Sequence, residues 1–356
     1  MIRRLMLKKI EYLFRYMFFF VIGIIIRIIC FPESSRKNKD KGELKYLIIR
    51  IEDRLGELLL ITPLIREISQ HVGKKVCVLV CHGRQEVFTQ CPFVERIFTM
   101  PRMYHLNSFL GFLKLLRNEN FDVVIDAAHR HEPTVDMVLT YLTGSSTRIG
   151  HKRGPYYLYY TTSVKIDNNN KHEIDRNAEL LRGLSISPIS KKMCFQETSF
   201  QTIPSFLREA FLEESKVVSF HTGARRRDHH IPLNIAKSIM TFLLENNLKC
   251  IIIDDMYNSQ LKEYFKSAHK KLYFASKINL ISLAAIFKAS KFVISANSGP
   301  MHLSVAVGTP TLALFFNGEI ERWGYNDGHN KSIIVKRGIL HTYYLDEVKM
   351  FCKKWL

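Results

Sequence analysis

Short apolar, β-branched runs alternate with longer amphipathic ones along this chain, and the alternation persists from Tyr46 to the C-terminus. Tyr46–Ile51 (YLIIRI), Val76–Val80, Arg96–Met100, Phe121–Ala127 (FDVVIDA) and Thr147–Gly150 read as buried strands. Between them the spacing predicts a helix from Gly56-Glu57 through Ile68, with Leu59, Leu60, Pro63 and Leu64 on its apolar side. Further helices are expected at Arg84–Gln90, Leu106–Asn118 and Glu132–Leu142, and His172–Leu184 closes the set. The pattern then repeats. Strands Lys216–Phe220, Leu248–Asp254, Lys271–Phe274, Phe292–Ala296 and Ser332–Lys336 alternate with helices Leu233–Asn246, Ser259–Ala268, Leu280–Ala289 and Met301–Val307. A basic helix, Asp346–Lys354, ends the chain. Strands too apolar to show a solvent face, alternating with helices, predict doubly wound parallel sheets. The expected fold is α/β: two Rossmann-like units in series, with ligands outside the carboxyl ends of the strands. The polar, proline-containing stretch that starts at Ser185 marks the passage between them. The predicted domains are 45–190 and 216–340, with a linker at 191–215 and a C-terminal helix in 341–356.

Residues 1–44 break this pattern. Arg4, Lys8, Glu11 and Arg15 fall on one helical face, and from Tyr16 to Phe31 the chain is apolar apart from Arg27. Those sixteen residues reach about 24 Å as a helix, short of the ~30 Å hydrocarbon core. They predict an in-plane or partly inserted anchor, with a short single span as the alternative. Ser34–Gly42 (SSRKNKDKG) is a polar linker. The net charge of +19 calls for anionic company. No RNP-type run, zinc-finger spacing or basic heptad region is present, so the charge is expected to mark an anionic membrane surface rather than nucleic acid. The seven cysteines are scattered and form no CxxC pair, which fits a reduced compartment and no bound metal.

The densest chemical signal is KFVISANSGPMHLSVAVGTPTLALFF, Lys291–Phe316. It reads as strand, tight loop, short helix, glycine stop and strand. Asn297 or Ser298 serves as N-cap, Gly299 lets the backbone approach a ligand, and Pro300 suits the first helical turn. The amides of Ser298, Gly299, Met301 and His302 would gather at a positive helix end that favours an anion. One turn in, His302 could reach a phosphate oxygen. The plainer alternative is a well-capped β-α-β unit with a packed histidine.

This segment resembles the donor-site segment of glycosyltransferase family 9, the ADP-heptose:lipopolysaccharide heptosyltransferases, commonly DSGPMHLAAALGTPTVALFG. Asn297 stands where the family has an acidic residue. DRLGELLLITP, Asp53–Pro63, resembles the family's N-terminal D-R-x-G-D run. The resemblance implies that Glu57, in the second acidic slot, is the general base, with Asp53, Arg54 and Gly56 beside it on the acceptor side. The loop HTGARRRDHHIP, His221–Pro232, resembles the family's phosphate-binding segment. Gly223 and Ala224 match, and His229 stands at the lysine position. Arg225, Arg226 and Arg227 are candidates to supply the missing cation, since guanidinium binds phosphate bidentately. Asp254-Asp255 would contact the ribose or cap a strand; a metal role is not expected. FDVVIDAAHRHE and TRIGHKRG resemble acceptor-side loops, which makes His129, Arg130 and Arg153 candidates for an anionic acceptor.

The resemblance implies a GT-B fold with an N-terminal acceptor domain and a C-terminal donor domain. It implies inverting, metal-independent transfer of a heptose or related sugar, without a cofactor. The donor would be a nucleotide-diphosphate sugar, ADP-heptose first. The acceptor would be a lipopolysaccharide core or similar anionic lipid-linked glycan, at the cytoplasmic side of the inner membrane. A family member that binds nucleotide sugar without turnover and a basic scaffold for membrane or nucleic acid are the other classes.

Overall fold

The computed structural model describes Val21 and residues 44–101, 106–128, 135–152, 159–166, 171–212, 216–253, 257–316, 319–335 and 342–356. The expected anchor (apart from Val21), His129, Arg130, Arg153 and the Asp254-Asp255 pair lie outside these residues. No helix among the described residues is long and apolar enough to cross a membrane. The chain divides into two compact units. The first comprises Met1–Asp53, Pro63–Asn169 and Ile174–Lys191; the second comprises Arg54–Thr62, Asn170–Glu173 and Lys192–Leu356. The short segment with Glu57 therefore belongs to the second unit, although residues of the first flank it on both sides.

In the first unit, strands β1 (Tyr46–Arg50), β2 (Val76–Cys81), β3 (Val94–Met100), β4 (Val123–Asp126), β5 (Thr147–His151) and β6 (Thr162–Val164) form one sheet. All pairs are parallel and the order is β3-β2-β1-β4-β5-β6. Every residue of β1 is buried, as expected of a central parallel strand covered on both faces. Leu47, Ile49, Leu79, Phe98, Phe121 and Val124 form the core with Phe112 and Leu116 of helix Leu106–Asn118. The chain order reverses between β1 and β4. Buried Asp126, at the end of β4, accepts from Tyr160 Oη at 2.5 Å and from the Ala128 amide at 2.8 Å.

Several elements differ from expectation. The single helix predicted from Gly56 to Ile68 is two, Leu55–Leu59 and Thr62–Val72. Pro63 has no N–H to continue the ladder, and Thr62 Oγ1 donates to Leu59 O at 2.7 Å, which closes the first piece. Arg84–Gln90 is only a 3-10 turn at Gln85–Val87, caught between Gly83 at φ +81° and Pro92. His172–Leu184 is α-helical over Glu173–Ala178 and 3-10 over Glu179–Leu184. Strand β6 went unpredicted because three residues carry no readable period.

The second unit repeats the plan. Strands β7 (Val217–His221), β8 (Lys249–Ile252), β9 (Leu272–Phe274), β10 (Phe292–Ala296), β11 (Thr311–Phe315) and β12 (Lys331–Ile334) pair in parallel. Their order is β12-β11-β10-β7-β8-β9, so here the reversal lies between β7 and β10. Helices Leu233–Glu245 and Thr342–Trp355 bury Ile239, Met240, Val348 and Phe351 against Phe220, Phe292 and Leu312. Both sheets follow the Rossmann strand order, and the fold is α/β and GT-B-like.

Candidate functional site

A doubly wound sheet offers its ligand site at the carboxyl ends of the two strands where the order reverses. In the second unit these are β7 and β10, and Ser295 lies opposite His221 in the register. The loops that leave them are the arginine-rich 222–232 segment and the Asn297–Pro300 turn. The His221 ring joins them: its Nδ1 lies 3.3 Å from Ser295 Oγ and 3.4 Å from Ser298 Oγ.

The helix after β10 runs Gly299–Ala306, two residues earlier than the pattern suggests. Its stop is the expected one. Gly308 sits at φ +78°, and its amide donates to Val305 O while the Thr309 amide donates to Ser304 O, both at 3.0 Å. That pair of bonds is the Schellman motif. The start is different. Ser298 is the N-cap by backbone conformation, but its side chain makes no capping bond and donates instead to Ala296 O at 3.1 Å. The earlier start also moves His302 into the helical ladder. The Met301 amide turns back onto Ser298 O at 3.2 Å, and Pro300 has no amide. The amides this helix end can present are thus those of Ser298 and Gly299. The Asn297 amide bonds Leu314 O at 3.2 Å, and the Met301 side chain packs with Ala313 and Phe315.

Across the reversal, Gly223 is buried, Ala224 is half-buried and Arg225, Arg226 and Arg227 are exposed. A 3-10 turn spans Arg227–His229. Arg226 grips Asp228 with two N–H donors, Nε to Oδ1 at 3.1 Å and Nη2 to Oδ2 at 2.7 Å. This pair holds the Asp228 carboxyl below its ordinary range. His229 Nε2 lies 3.8 Å from Asp228 Oδ2. Ile231 is fully buried, and its amide donates to Thr222 O at 3.0 Å, pinning the loop's far end.

Helix Leu55–Leu59 lies directly on helix Gly299–Ala306, and glycine permits the approach from both sides. A Cβ on Gly56 would stand 2.5 Å from His302 Cδ2, and one on Gly299 would stand 3.0 Å from Leu55 Cβ. Glu57 is 7% exposed, in the first turn of its helix, and Arg54 Nη1 lies 3.9 Å from its Oε1. Asp53 is exposed and belongs to the first unit. The second unit thus packs the Gly56-Glu57 turn on helix Gly299–Ala306, and His221, from which the 222–232 loop leaves, reaches Ser298 at the start of that helix.

His302 is only 4% exposed, and its Nδ1 lies 2.6 Å from Tyr325 Oη. Burial, reinforced by His172, pushes its pKa down to about 3, so the ring is neutral near pH 7. Trp323 meets the imidazole edge to face at 6.2 Å and Tyr325 does so at 5.7 Å. Behind them, Arg322 Nε donates to the fully buried Glu173 carboxylate at 2.8 Å. Sequence reasoning singled out neither Tyr325 nor the Arg322–Glu173 pair. The compact aromatic run Trp323-Gly324-Tyr325 beyond the SGPMH helix was the available signal.

A model of glycosyltransferase family 9 (heptosyltransferase) matches residues 110–352. The chain belongs to glycosyltransferase family 9. This family 9 chain is accordingly a glycosyltransferase, and the matched span holds both loops at the β7/β10 reversal but not Asp53–Pro63. No curated protein matches the sequence. Among solved structures, a family 9 glycosyltransferase from Veillonella parvula superposes with a TM-score of 0.73 at 16% identity, covering 89% of this chain and 91% of the other. The E. coli heptosyltransferase WaaC with ADP gives 0.72 at 17%, covering 86% and 100%. The E. coli ADP-heptose lipopolysaccharide heptosyltransferase II gives 0.71 at 14%, covering 87% and 99%. At these identities the likeness is one of fold.

Proposed function

We propose that this family 9 chain transfers a heptose or closely related sugar from a nucleotide-diphosphate donor, ADP-heptose first, to an anionic lipid-linked glycan such as a lipopolysaccharide core. One observation carries the reading: the Glu57 helix is packed, glycine against side chain, on the helix whose N-terminus stands at the β7/β10 reversal. The proposed base and the proposed leaving-group site then belong to one compact unit. Support for a heptose comes from the family match, and support for ADP comes from WaaC, which was solved with that nucleotide.

In the proposed reaction Glu57 removes the proton from an acceptor hydroxyl as its oxygen attacks the anomeric carbon. The bond from that carbon to the diphosphate oxygen breaks, the configuration inverts, and the nucleoside diphosphate leaves. The charge that develops on the departing phosphate falls to the Ser298 and Gly299 amides and to the guanidinium groups of Arg225 and Arg227. No metal is assigned a part. Arg54, Asp53, His129, Arg130 and Arg153 are the proposed acceptor contacts, and residues 1–44, with ten Lys or Arg against four Asp or Glu, would hold the enzyme at the cytoplasmic side of the inner membrane.

The test is a thermal-shift panel of ADP-, UDP- and GDP-sugars, followed by assay of nucleotide release with an acceptor glycan present. A site ligand raises apparent stability by mass action. ADP-heptose is expected to raise the melting temperature most and to release ADP. A larger shift and turnover with a UDP- or GDP-sugar would overturn the donor assignment.

A further inference from the structure

We infer that His302 is a positioning residue, clamped by Tyr325, that sets where the Gly56-Glu57 turn sits, and not a ligand of the donor's phosphates. Both edges of the ring are engaged. Tyr325 Oη stands 2.6 Å from Nδ1. The opposite edge faces Gly56, where an added Cβ would meet Cδ2 at 2.5 Å and Nε2 at 3.1 Å. Trp323 and Tyr325 close over the ring, and what remains exposed is 4% of the residue.

The tyrosine hydroxyl lies 2.6 Å from the imidazole nitrogen and 3.7 Å from Met193 Sδ, to which it can donate. The bond to Nδ1 is made in either neutral tautomer: the ring donates to Oη when Nδ1 carries the proton, and the hydroxyl donates to Nδ1 when Nε2 carries it. Burial keeps Tyr325 protonated, with its pKa well above the ordinary value, and keeps His302 neutral. A neutral, enclosed imidazole brings no charge to a diphosphate. Tyr325 is itself fixed: its amide donates to Ser332 Oγ at 2.7 Å, and its ring lies 5.2 Å from that of His172. The path of constraint thus runs from β12 through Tyr325 and His302 to Gly56, the neighbour of the proposed base.

This inference rests on Glu57 as the base, so both are tested together. Transfer kinetics and ADP binding are measured for Glu57→Gln, Tyr325→Phe, His302→Asn and Gly56→Ala. Tyr325→Phe takes the hydrogen-bond partner from Nδ1, and His302→Asn removes the ring edge that abuts Gly56. Gly56→Ala pushes on the same contact from the other side. For these three variants kcat is expected to fall by about tenfold or more, because small displacements of a reacting group are costly. The donor KM and the ADP Kd are expected to stay within about twofold of wild type, as only the base has moved. A tenfold loss of ADP affinity with kcat intact would make His302 a phosphate ligand and overturn the proposal. Native kinetics in Tyr325→Phe and Gly56→Ala would overturn it too, provided Glu57→Gln is inactive. An active Glu57→Gln would instead remove the base assignment on which it rests. Should Tyr325→Phe fail to fold, Gly56→Ala decides.

Discussion

Gly56 and Gly299 shape the site by what they lack. Each faces a side chain of the opposing helix at a distance where a methyl group would collide or crowd, at 2.5 Å for Gly56 and 3.0 Å for Gly299. The sequence marks both as glycines in motifs, but only the packing shows that Gly56 serves a helix-to-helix contact while Gly299 both opens a helix and permits that contact. His302 is the residue whose reading changes most. Its place one turn into a helix expected to favour an anion suggests a phosphate ligand, whereas its surroundings are Tyr325, Trp323 and Gly56. Burial has a measurable consequence. The folded chain leaves His302 neutral down to about pH 3, while an unfolded chain protonates it near its ordinary value of about 6.5. Between those values the unfolded state binds more protons, so His302 lowers stability progressively as pH falls from about 6.5 toward 3, by about 2 kcal/mol at pH 5. Denaturant titrations at pH 7 and pH 5 check this: the loss of stability on acidification is expected to be smaller in His302→Asn than in wild type. Equal losses would contradict it.

At the scale of elements, the strands were the most legible feature. A run such as Phe292–Ala296 or Tyr46–Arg50, buried along its whole length, has few other ways to satisfy its backbone than a covered parallel sheet. The Gly308 stop was equally readable, because few residues adopt φ +78° without strain. Helix starts and breaks were less so. The division at Thr62-Pro63 requires weighing one proline against a continuous apolar stripe, and the stripe misleads, since its two halves pack in different units. The 222–232 loop shows a similar limit. Three consecutive arginines are visible in the sequence, yet their availability depends on Asp228, which engages Arg226 through two bonds. Removing that carboxylate's charge leaves Arg226 available to a diphosphate. Asp228→Asn is therefore expected to tighten ADP binding severalfold at low salt, with the gain shrinking as ionic strength rises. Isothermal titration at two salt concentrations measures it, and unchanged or weaker binding would mean that Arg226 does not face the donor.

For the whole molecule, the same strand order appears twice, and each unit places its reversal between its first and fourth strands. The two-unit α/β fold was legible from the alternation of patterns. Glu57's membership of the second unit was not, because it is decided by packing far along the chain from its neighbours in sequence. That placement is the centre of the functional account: the proposed base and the proposed leaving-group site share one structural body. The family match covers the proposed leaving-group side and stops short of Glu57. The most direct measurement is single-turnover sugar transfer by Glu57→Gln set beside its ADP dissociation constant. The account predicts that transfer falls by about a hundredfold to ten-thousandfold, the usual weight of a general base, while ADP binds as tightly as in wild type. Transfer at the native rate by a folded Glu57→Gln protein would contradict it.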